Sequence, residues 1–320
     1  MTNKRHFFAA AAFVAFSFFC YVIGHAETNQ EMRAASVLFE QYETIAYSRT
    51  DFSAKSNMSS PPYVDSMINL KLPFEELIGI IHSLGPTTAN DLKNSYGSVL
   101  MGAKDFVPPK GIGAVGSRKC YIGVSEAGAP PNVEAYFERI PYEEIGGRRV
   151  WAWSPPPLDQ TSSPTKYYAA QIANSYFVMT NDRQDFEQIA RALTSQEGSK
   201  PISARVFGWE AFSTHNYWVY RLLRRDGIVS PVAAGTKDLS PDVTALAFMA
   251  DVDQRRSFLL VLSSDSAMKN APSVFLDSET HPLQPQGSGI WEATIPLSED
   301  KAGFNTLFRV FYSFGFGAIL

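Results

Sequence analysis

Apolar and polar residues along this chain follow a repeating pattern, in which a strand-like run is followed by a segment with helical spacing. Strand-like runs alternate with a period of two, and the helical segments carry apolar residues at i, i+3, i+4 and i+7. Residues 66–72 form the first such run and lead into a helix with the apolar residues Phe74, Leu77, Ile78 and Ile81. This pattern predicts an α+β fold, a mainly antiparallel sheet with hairpins and with amphipathic helices packed on it.

The middle of the chain contains further runs of both kinds. The elements predicted there are a hairpin of 112–115 and 120–124 joined through 116–119, a helix through Val133, Tyr136, Phe137 and Ile140, a strand at 150–153, and two strands within 167–180 that turn at Asn174-Ser175. Asn181 or Asp182 then caps a helix bearing Phe186, Ile189, Ala190 and Leu193.

The C-terminal part repeats the pattern. The elements predicted there are a helix around 214–225, a hairpin of 243–249 and 258–262 across 251–256, a strand at 290–295, and a last helix that opens at Ser298 and bears Phe304, Leu307, Phe308 and Phe311. As an alternative to the last helix, Phe308, Val310, Tyr312, Phe314 and Phe316 alternate as one long strand.

The predicted domain organisation follows from two polar stretches. Ala34, Leu38, Tyr42 and Ile45 fall on one side of a helix, so residues 27–45 are either a weakly amphipathic helical segment or a mobile arm. Residues 48–62 are rich in Ser, Asn and Pro, so 27–62 is interpreted as an N-terminal arm and linker. The Ser195 to Pro201 stretch is the best internal boundary, which gives a first lobe at 63–198 and a second at 199–320. The recurrence on its two sides suggests pseudo-repeated lobes.

Residues 1–26 have the order of a secretory signal peptide. Lys4 and Arg5 precede an uncharged apolar run from Phe7 to Ile23, and Gly24-His25-Ala26 supplies small residues ahead of a cleavage site. The alternative is an uncleaved anchor, because the run is near the short end of what spans a bilayer. Either reading places the bulk of the chain outside the cytoplasm, in the periplasm or the extracellular space.

Composition limits the choice of partner. The chain is 45% hydrophobic and 13% aromatic, which is enough for a large core. Loss of the leader leaves 26 basic against 32 acidic residues, a formal charge of −6, which disfavours nucleic acid or an anionic membrane as partner. Membrane contact is expected only if the N-terminal segment stays uncleaved. Cys120 is the single cysteine left, so no internal disulfide forms, and a buried inert thiol is expected.

Local motifs do not identify a catalytic chemistry. Residues 111–116 match the glycine spacing of a dinucleotide-binding loop, but no strand feeds them and no helix follows, so they are interpreted as hairpin glycines. Ser266 and Lys269 have the spacing of penicillin-recognising enzymes, but the companion motifs are missing. His82, His215 and His281 have no metal-ligand spacing. We therefore predict no cofactor and no metal, and catalytic residues stay unknown.

Aromatic residues supply the candidate ligand contacts. Trp151 and Trp153 share one strand face ahead of three prolines and would suit stacking on a sugar or peptide. Trp209, Trp218 and His215 belong to a second aromatic group that would line a cleft. For both groups the simpler interpretation is packing in the core.

Three functional hypotheses remain. The first is an exported, non-catalytic binding or interaction module. The second is an extracytoplasmic hydrolase whose site assembles in space from residues such as His82, His215, Asp251 and Asp253. The third is an envelope-tethered structural protein held by an uncleaved N-terminal helix.

Overall fold

The computed structural model describes residues 30–49, 77, 79–81, 84, 95–106, 116–125, 133, 137–155, 165–195, 202–225, 228–229, 243–251, 256–263, 273–276 and 279–296. The strands within these residues are β1 (Thr44–Arg49), β2 (Tyr96–Phe106), β3 (Gly116–Ser125), β4 (Tyr142–Ile145), β5 (Arg148–Trp153), β6 (Tyr167–Ile172), β7 (Tyr176–Thr180), β8 (Tyr217–Leu222), β9 (Arg224–Arg225), β10 (Ile228–Val229), β11 (Val243–Asp251), β12 (Arg256–Ser263), β13 (Ser273–Leu276), β14 (Glu279–Pro282), β15 (Gln284–Gly287) and β16 (Ile290–Pro296). The helices are α1 (30–41), α2 (Arg183–Thr194) and α3 (Trp209–Phe212), with a 3-10 turn at Ile202–Ala204 and helical backbone at 77, 79–81 and 133.

Twelve of these strands form one antiparallel sheet. Its order is β15-β16-β12-β11-β8-β1-β2-β3-β7-β6-β5-β4. Strand β1 lies inside it, with Ala46 opposite Met101 of β2 on one side and Val219 of β8 on the other. The predicted α+β class is confirmed in its coarse form, as a sheet-dominated antiparallel fold with few helices. The predicted division into 63–198 and 199–320 stays a prediction.

The N-terminal segment is part of the fold from Gln30 onward, which corrects the predicted arm and linker for residues 30–49. Helix α1 buries Ala34 and Leu38, and β1 alternates between the two faces of the sheet. Five successive residues of β1 are buried, 44–48, because helices or loops cover both faces. A strand buried on both faces lacks polar alternation, so its sequence did not resemble a half-exposed strand.

Strand β2 is a long element that the sequence analysis missed, and its pairing corrects the predicted hairpin. Residues 116–119 belong to β3 and do not form a turn, and β3 pairs with β2 from Phe106 opposite Gly116 to Tyr96 opposite Ser125. Residues 107–115, between these two strands in the sequence, lie outside the described residues.

Residues 217–222 form strand β8, so the predicted helix around 214–225 is wrong. Every second residue faces the same side, with Tyr217 and Val219 in one core and Trp218 and Tyr220 in the other. A continuous apolar run is compatible with both a helix and a strand. Residues 217–222 form a strand because they pair with β1 on one side and with β11 on the other. Arg221, predicted near a helix end, is buried in the sheet and donates to Thr44 Oγ1 at 3.1 Å.

Other predicted elements are confirmed. They are the strand at 150–153, the β6–β7 hairpin with its turn at 173–175, the β11–β12 hairpin and strand β16. Helix α2 begins after Asp182, whose side chain accepts from the backbone N–H groups of Gln184 and Asp185 at 2.9 and 3.0 Å. Helix α2 buries the four predicted apolar residues.

The sheet separates two hydrophobic cores. The helix-side core lies under α1, α2 and α3. The opposite core is covered by residues that include Leu77, Ile81, Val133 and Phe137. Val133 has helical backbone, as predicted, but residues 137–139 form a turn. In this turn Ile140 N–H donates to Phe137 O at 2.9 Å.

Several predictions fall outside the described residues. They are the strand at 66–72, the final helix or strand at 298–316, the linker at 50–62, the glycines of 111–113, Ser266 with Lys269, and His82 with Asp253.

Candidate functional site

The five residues predicted as ligand contacts do not converge. Trp151 and Trp153 on β5 belong to the opposite core, whereas Trp209 on α3 and Trp218 on β8 belong to the helix-side core. All four indoles are buried, with at most 9% exposed. His215 precedes β8, and its ring centroid lies 5.9 Å from that of Phe258. The sheet therefore separates the two tryptophan pairs.

Around Trp151 and Trp153 the structure assembles an aromatic layer, which we define as Tyr96, Phe137, Trp151, Trp153, Tyr167 and Phe177. The ring of Phe137 is at its centre. It stacks on Trp151 with centroids 4.5 Å apart and planes at 22°, and lies 5.7 Å from Trp153 and 5.8 Å from Phe177. Tyr96 is 6.0 Å from Phe177, and Tyr167 is 6.1 Å from Trp153. These six rings come from four strands and one turn.

Small residues of the sheet make room for these rings. Gly123 on β3 faces Phe177 on β7, and a Cβ at Gly123 would lie 3.1 Å from Tyr96 Cγ. Ala169 on β6 is opposite both Trp151 and Met179 and is fully buried. The glycine and the alanine have little or no side chain, so they leave space for large rings on this face of the sheet.

Two buried polar atoms of the aromatic layer are left without a partner. Neither Tyr96 OH nor Trp153 Nε1 has a hydrogen bond among the residues that the structure describes. Tyr96 is 3% exposed and Trp153 8%. Burial raises the pKa of the Tyr96 hydroxyl well above its usual value, so the group stays a neutral donor. Buried donors in folded proteins nearly always have an acceptor, so these two donors are available to water or to a ligand.

The helix-side core contains a polar network where α1 meets α2. Tyr42 OH donates to Asp185 Oδ2 at 3.0 Å, and the Arg118 guanidinium lies 3.5 Å from Asp182 Oδ2 and from Asp185 Oδ1. Burial raises the pKa of the Asp185 carboxyl, while Tyr42 and Arg118 act in the opposite direction. Every group here has a partner, and the network connects α1, α2 and β3. The network therefore stabilises the packing of these three elements against one another.

Cys120 lies beside this network and is fully buried, as expected for an inert thiol. Burial raises the pKa of the thiol well above its usual value, so the thiol stays protonated at neutral pH. A protonated, inaccessible thiol is a poor nucleophile.

The residues named for the hydrolase hypothesis are not assembled by the described part of the chain. His215 packs on Phe258, and its three proposed partners have no described side chain. Within the described ranges, no group of three His, Cys, Asp or Glu side chains could hold a metal ion. Across those same ranges, helices long and apolar enough to cross a membrane are absent.

Comparison with known proteins gives no family. The sequence matches no family and no curated protein. Among solved structures, the chain is similar to crystal forms I, III and IV of TP0453, at 10%, 11% and 10% sequence identity and TM-scores of 0.39, 0.40 and 0.38. The alignments cover 83%, 85% and 85% of this chain and 94%, 94% and 93% of those chains. At TM-scores below 0.5, this similarity supports no inference about function.

Sequence reasoning found the tryptophans of the aromatic layer but missed Tyr96 and Phe177 as their neighbours. Tyr96 lies in the unpredicted strand β2, and Phe177 lies in a strand whose predicted partner was only its hairpin neighbour within 167–180. The signal in the sequence was the uncharged stretch from Tyr96 to Met101, in which Ser98 is the one polar side chain and which is long enough for a strand buried on both faces.

Proposed function

We propose that this protein is an exported, non-catalytic binding module, and that the aromatic layer is its ligand site. Trp151 and Trp153 are its predicted ligand contacts. The Trp153 indole supplies one hydrogen-bond donor, and the Tyr96 hydroxyl supplies a second. The observation that carries the proposal is the pair of orphaned buried donors, Tyr96 OH and Trp153 Nε1, within a continuous layer of rings.

The chemistry of the layer defines the ligand class. Its rings offer flat apolar surface, and each of its two free donors can bond to an oxygen acceptor. The ligand is therefore a small flat molecule with at least one carbonyl or ether oxygen. In the free protein the ring of Phe137 fills the stacking position on Trp151. The ligand displaces this ring, which is anchored in a turn at 137–139.

Tyr96→Phe tests the site, because it removes one orphaned donor and keeps the ring. In the free protein we expect a gain of about 1 kcal/mol in the free energy of unfolding, since a buried unsatisfied hydroxyl costs about 1–3 kcal/mol. The matched control Tyr42→Phe removes a hydroxyl that donates to Asp185, and it should lose about 1–2 kcal/mol. Urea denaturation measures both changes.

Binding is measured with coumarin and with naphthalene, its carbonyl-free counterpart, by quenching of tryptophan fluorescence. Wild type should prefer coumarin by about tenfold, the equivalent of one good hydrogen bond. Tyr96→Phe should reduce that preference. Equal affinity of wild type for the two probes, or no binding of either, would show that the layer is only core.

Export is proposed on the N-terminal pattern. A basic start, an uncharged apolar run and small residues at Gly24 and Ala26 support a leader that ends at Ala26. The described fold begins at Gln30, where α1 is already packed: its Arg33 guanidinium donates to the carbonyl oxygens of Ala192 and Ser195 at the end of α2. A cut after Ala26 leaves this packing intact.

Intact mass and N-terminal sequencing of the protein from fractionated cells test the export proposal. We expect a chain that begins at Glu27, recovered outside the cytoplasm in soluble form. A chain that begins at Met1 in the membrane fraction would replace export with the tethered alternative, and a cytosolic chain would contradict both.

A further inference from the structure

Within the residues that the structure describes, the twelve-stranded sheet ends in two different edges. At one end β15 has Pro285, which has no N–H, and its pairing with β16 is interrupted between Pro285 and Gly287. Proline and bulges are devices by which proteins prevent strand addition. At the other end β4 contains no proline and pairs regularly with β5 from Tyr142 opposite Trp151 to Ile145 opposite Arg148.

The backbone of β4 has donors and acceptors that face away from the sheet. Ala152 N–H donates to Pro141 O at 2.8 Å, so Pro141 and Ala152 form a hydrogen-bonded pair. Hydrogen-bonded and non-hydrogen-bonded pairs alternate along an antiparallel ladder, so Glu143 and Ile145 bond to β5. The N–H and C=O groups of Tyr142 and Glu144 therefore point outward.

Side chains at this edge have the composition of a binding surface. Tyr142 is 55% exposed, and the guanidinium carbon of Arg149 lies 4.1 Å from its ring centroid. Exposed tyrosine and arginine are the residue types that most often dominate binding energy at interfaces. The opposite end of the sheet offers no such pair, because β15 has the sequence Gln-Pro-Gln-Gly.

Charge indicates which partner fits. The basic residues opposite β4 or paired with it are Arg148, Arg149, Lys166 and Arg183, against Glu143 and Glu144, while Glu138 and Arg139 before β4 offset each other. Lys166 and Arg183 lie 2.5 and 3.7 Å from the Glu143 carboxylate, and the bond from Lys166 lowers the pKa of Glu143. The edge keeps a positive excess in a protein of net charge −4. A second copy would bring the same positive excess and be repelled, whereas an acidic segment is attracted.

We propose that β4 is a docking edge for an extended acidic peptide segment of another protein, which adds as a thirteenth strand. The segment bonds to the outward groups of Tyr142 and Glu144 and places its carboxylates near Arg149. Tyr142 lies opposite Trp151 of the aromatic layer, but strand addition uses the outward backbone groups of β4 and does not depend on the function proposed for that layer.

Glu144→Pro and Glu144→Ala form the decisive pair of variants. Both remove the carboxylate, but only proline removes the outward N–H, and it leaves the β4–β5 bonds intact. The probe is a fluorescein-labelled eight-residue peptide that alternates valine and glutamate, with a valine–lysine peptide as its control. Fluorescence anisotropy at low salt measures binding, and thermal melts check that each variant is folded.

We expect wild type and Glu144→Ala to bind the acidic peptide. Glu144→Pro should bind it about tenfold more weakly or not at all, because the peptide loses a main-chain hydrogen bond that also fixes its register on β4. Arg149→Ala should weaken binding with Glu144 present, and the lysine peptide should not bind. Equal affinity of the proline and alanine variants, or no binding to wild type, would overturn the proposal. A concentration-dependent dimer that Glu144→Pro abolishes would assign the edge to a second copy instead.

Discussion

Trp218→Ala is expected to lower the free energy of unfolding by about 3–5 kcal/mol, the range for removal of a large buried aromatic side chain. Trp218 is 2% exposed and lies at the centre of an aromatic cluster in the helix-side core. Its ring stacks on Tyr47 at 5.5 Å and meets Phe212 at 5.1 Å and Trp209 at 5.7 Å edge-on. These partners belong to strand β1 and helix α3, so the truncation leaves a cavity that neither element alone can close.

Urea denaturation followed by far-ultraviolet circular dichroism measures this loss. The control is Phe207→Ala, because Phe207 is 41% exposed and its truncation should change stability by less than about 1 kcal/mol. A loss below about 1 kcal/mol for Trp218→Ala would contradict its central position. It would then favour the reading of Trp218 as an accessible ligand contact.

The second large effect is expected at Gly102, where β2 passes beneath the end of α1. A Cβ at this position would lie 2.5 Å from Tyr42 Cδ2, 2.7 Å from Tyr42 Cγ and 3.0 Å from Leu38 Cδ2. The Tyr42 ring cannot swing away cheaply, because its hydroxyl donates to Asp185. We expect Gly102→Ala to cost about 3 kcal/mol, at the upper end of the range for overpacked cores.

Chemical denaturation of four variants isolates this contact. Gly102→Ala is measured alone and together with Tyr42→Ala. The double-mutant cycle should give a coupling of at least about 1 kcal/mol, because alanine at position 42 has no ring for the new methyl group at position 102 to clash with. Gly79→Ala serves as control. A Cβ there meets nothing within 4 Å, and the substitution should gain about 0.5–1 kcal/mol in a helix. Additive effects at Gly102 and Tyr42 would contradict the predicted contact.

The sequence alone predicted the elements whose chemistry is local. Asp182 and the apolar spacing of Phe186 to Leu193 specify α2, because a cap and a helical stripe need no distant partner. The β6–β7 and β11–β12 hairpins were equally visible, since each joins two strand-like runs through a short polar stretch.

Other features needed the tertiary structure. Strands β1 and β8 are buried on both faces, so their apolar runs lack the alternation that separates strand from helix. Trp153 was identified from its local pattern, but its neighbour Tyr96 is 57 positions away and joins it only through Phe137 and Phe177. The edge at β4, which no described strand covers, likewise exists only because eleven other strands are paired in a fixed order.

The sequence by itself determined the α+β class, the capped helix and the local hairpins, because these depend on residue spacing and on short-range hydrogen bonds. Tertiary structure alone decided the order of the strands, which face Trp151 and Trp218 occupy, and which buried donors lack a partner. The physical reason is that strand pairing and burial depend on residues far apart in the chain. One sequence pattern is compatible with several neighbours, and only the folded sheet selects among them.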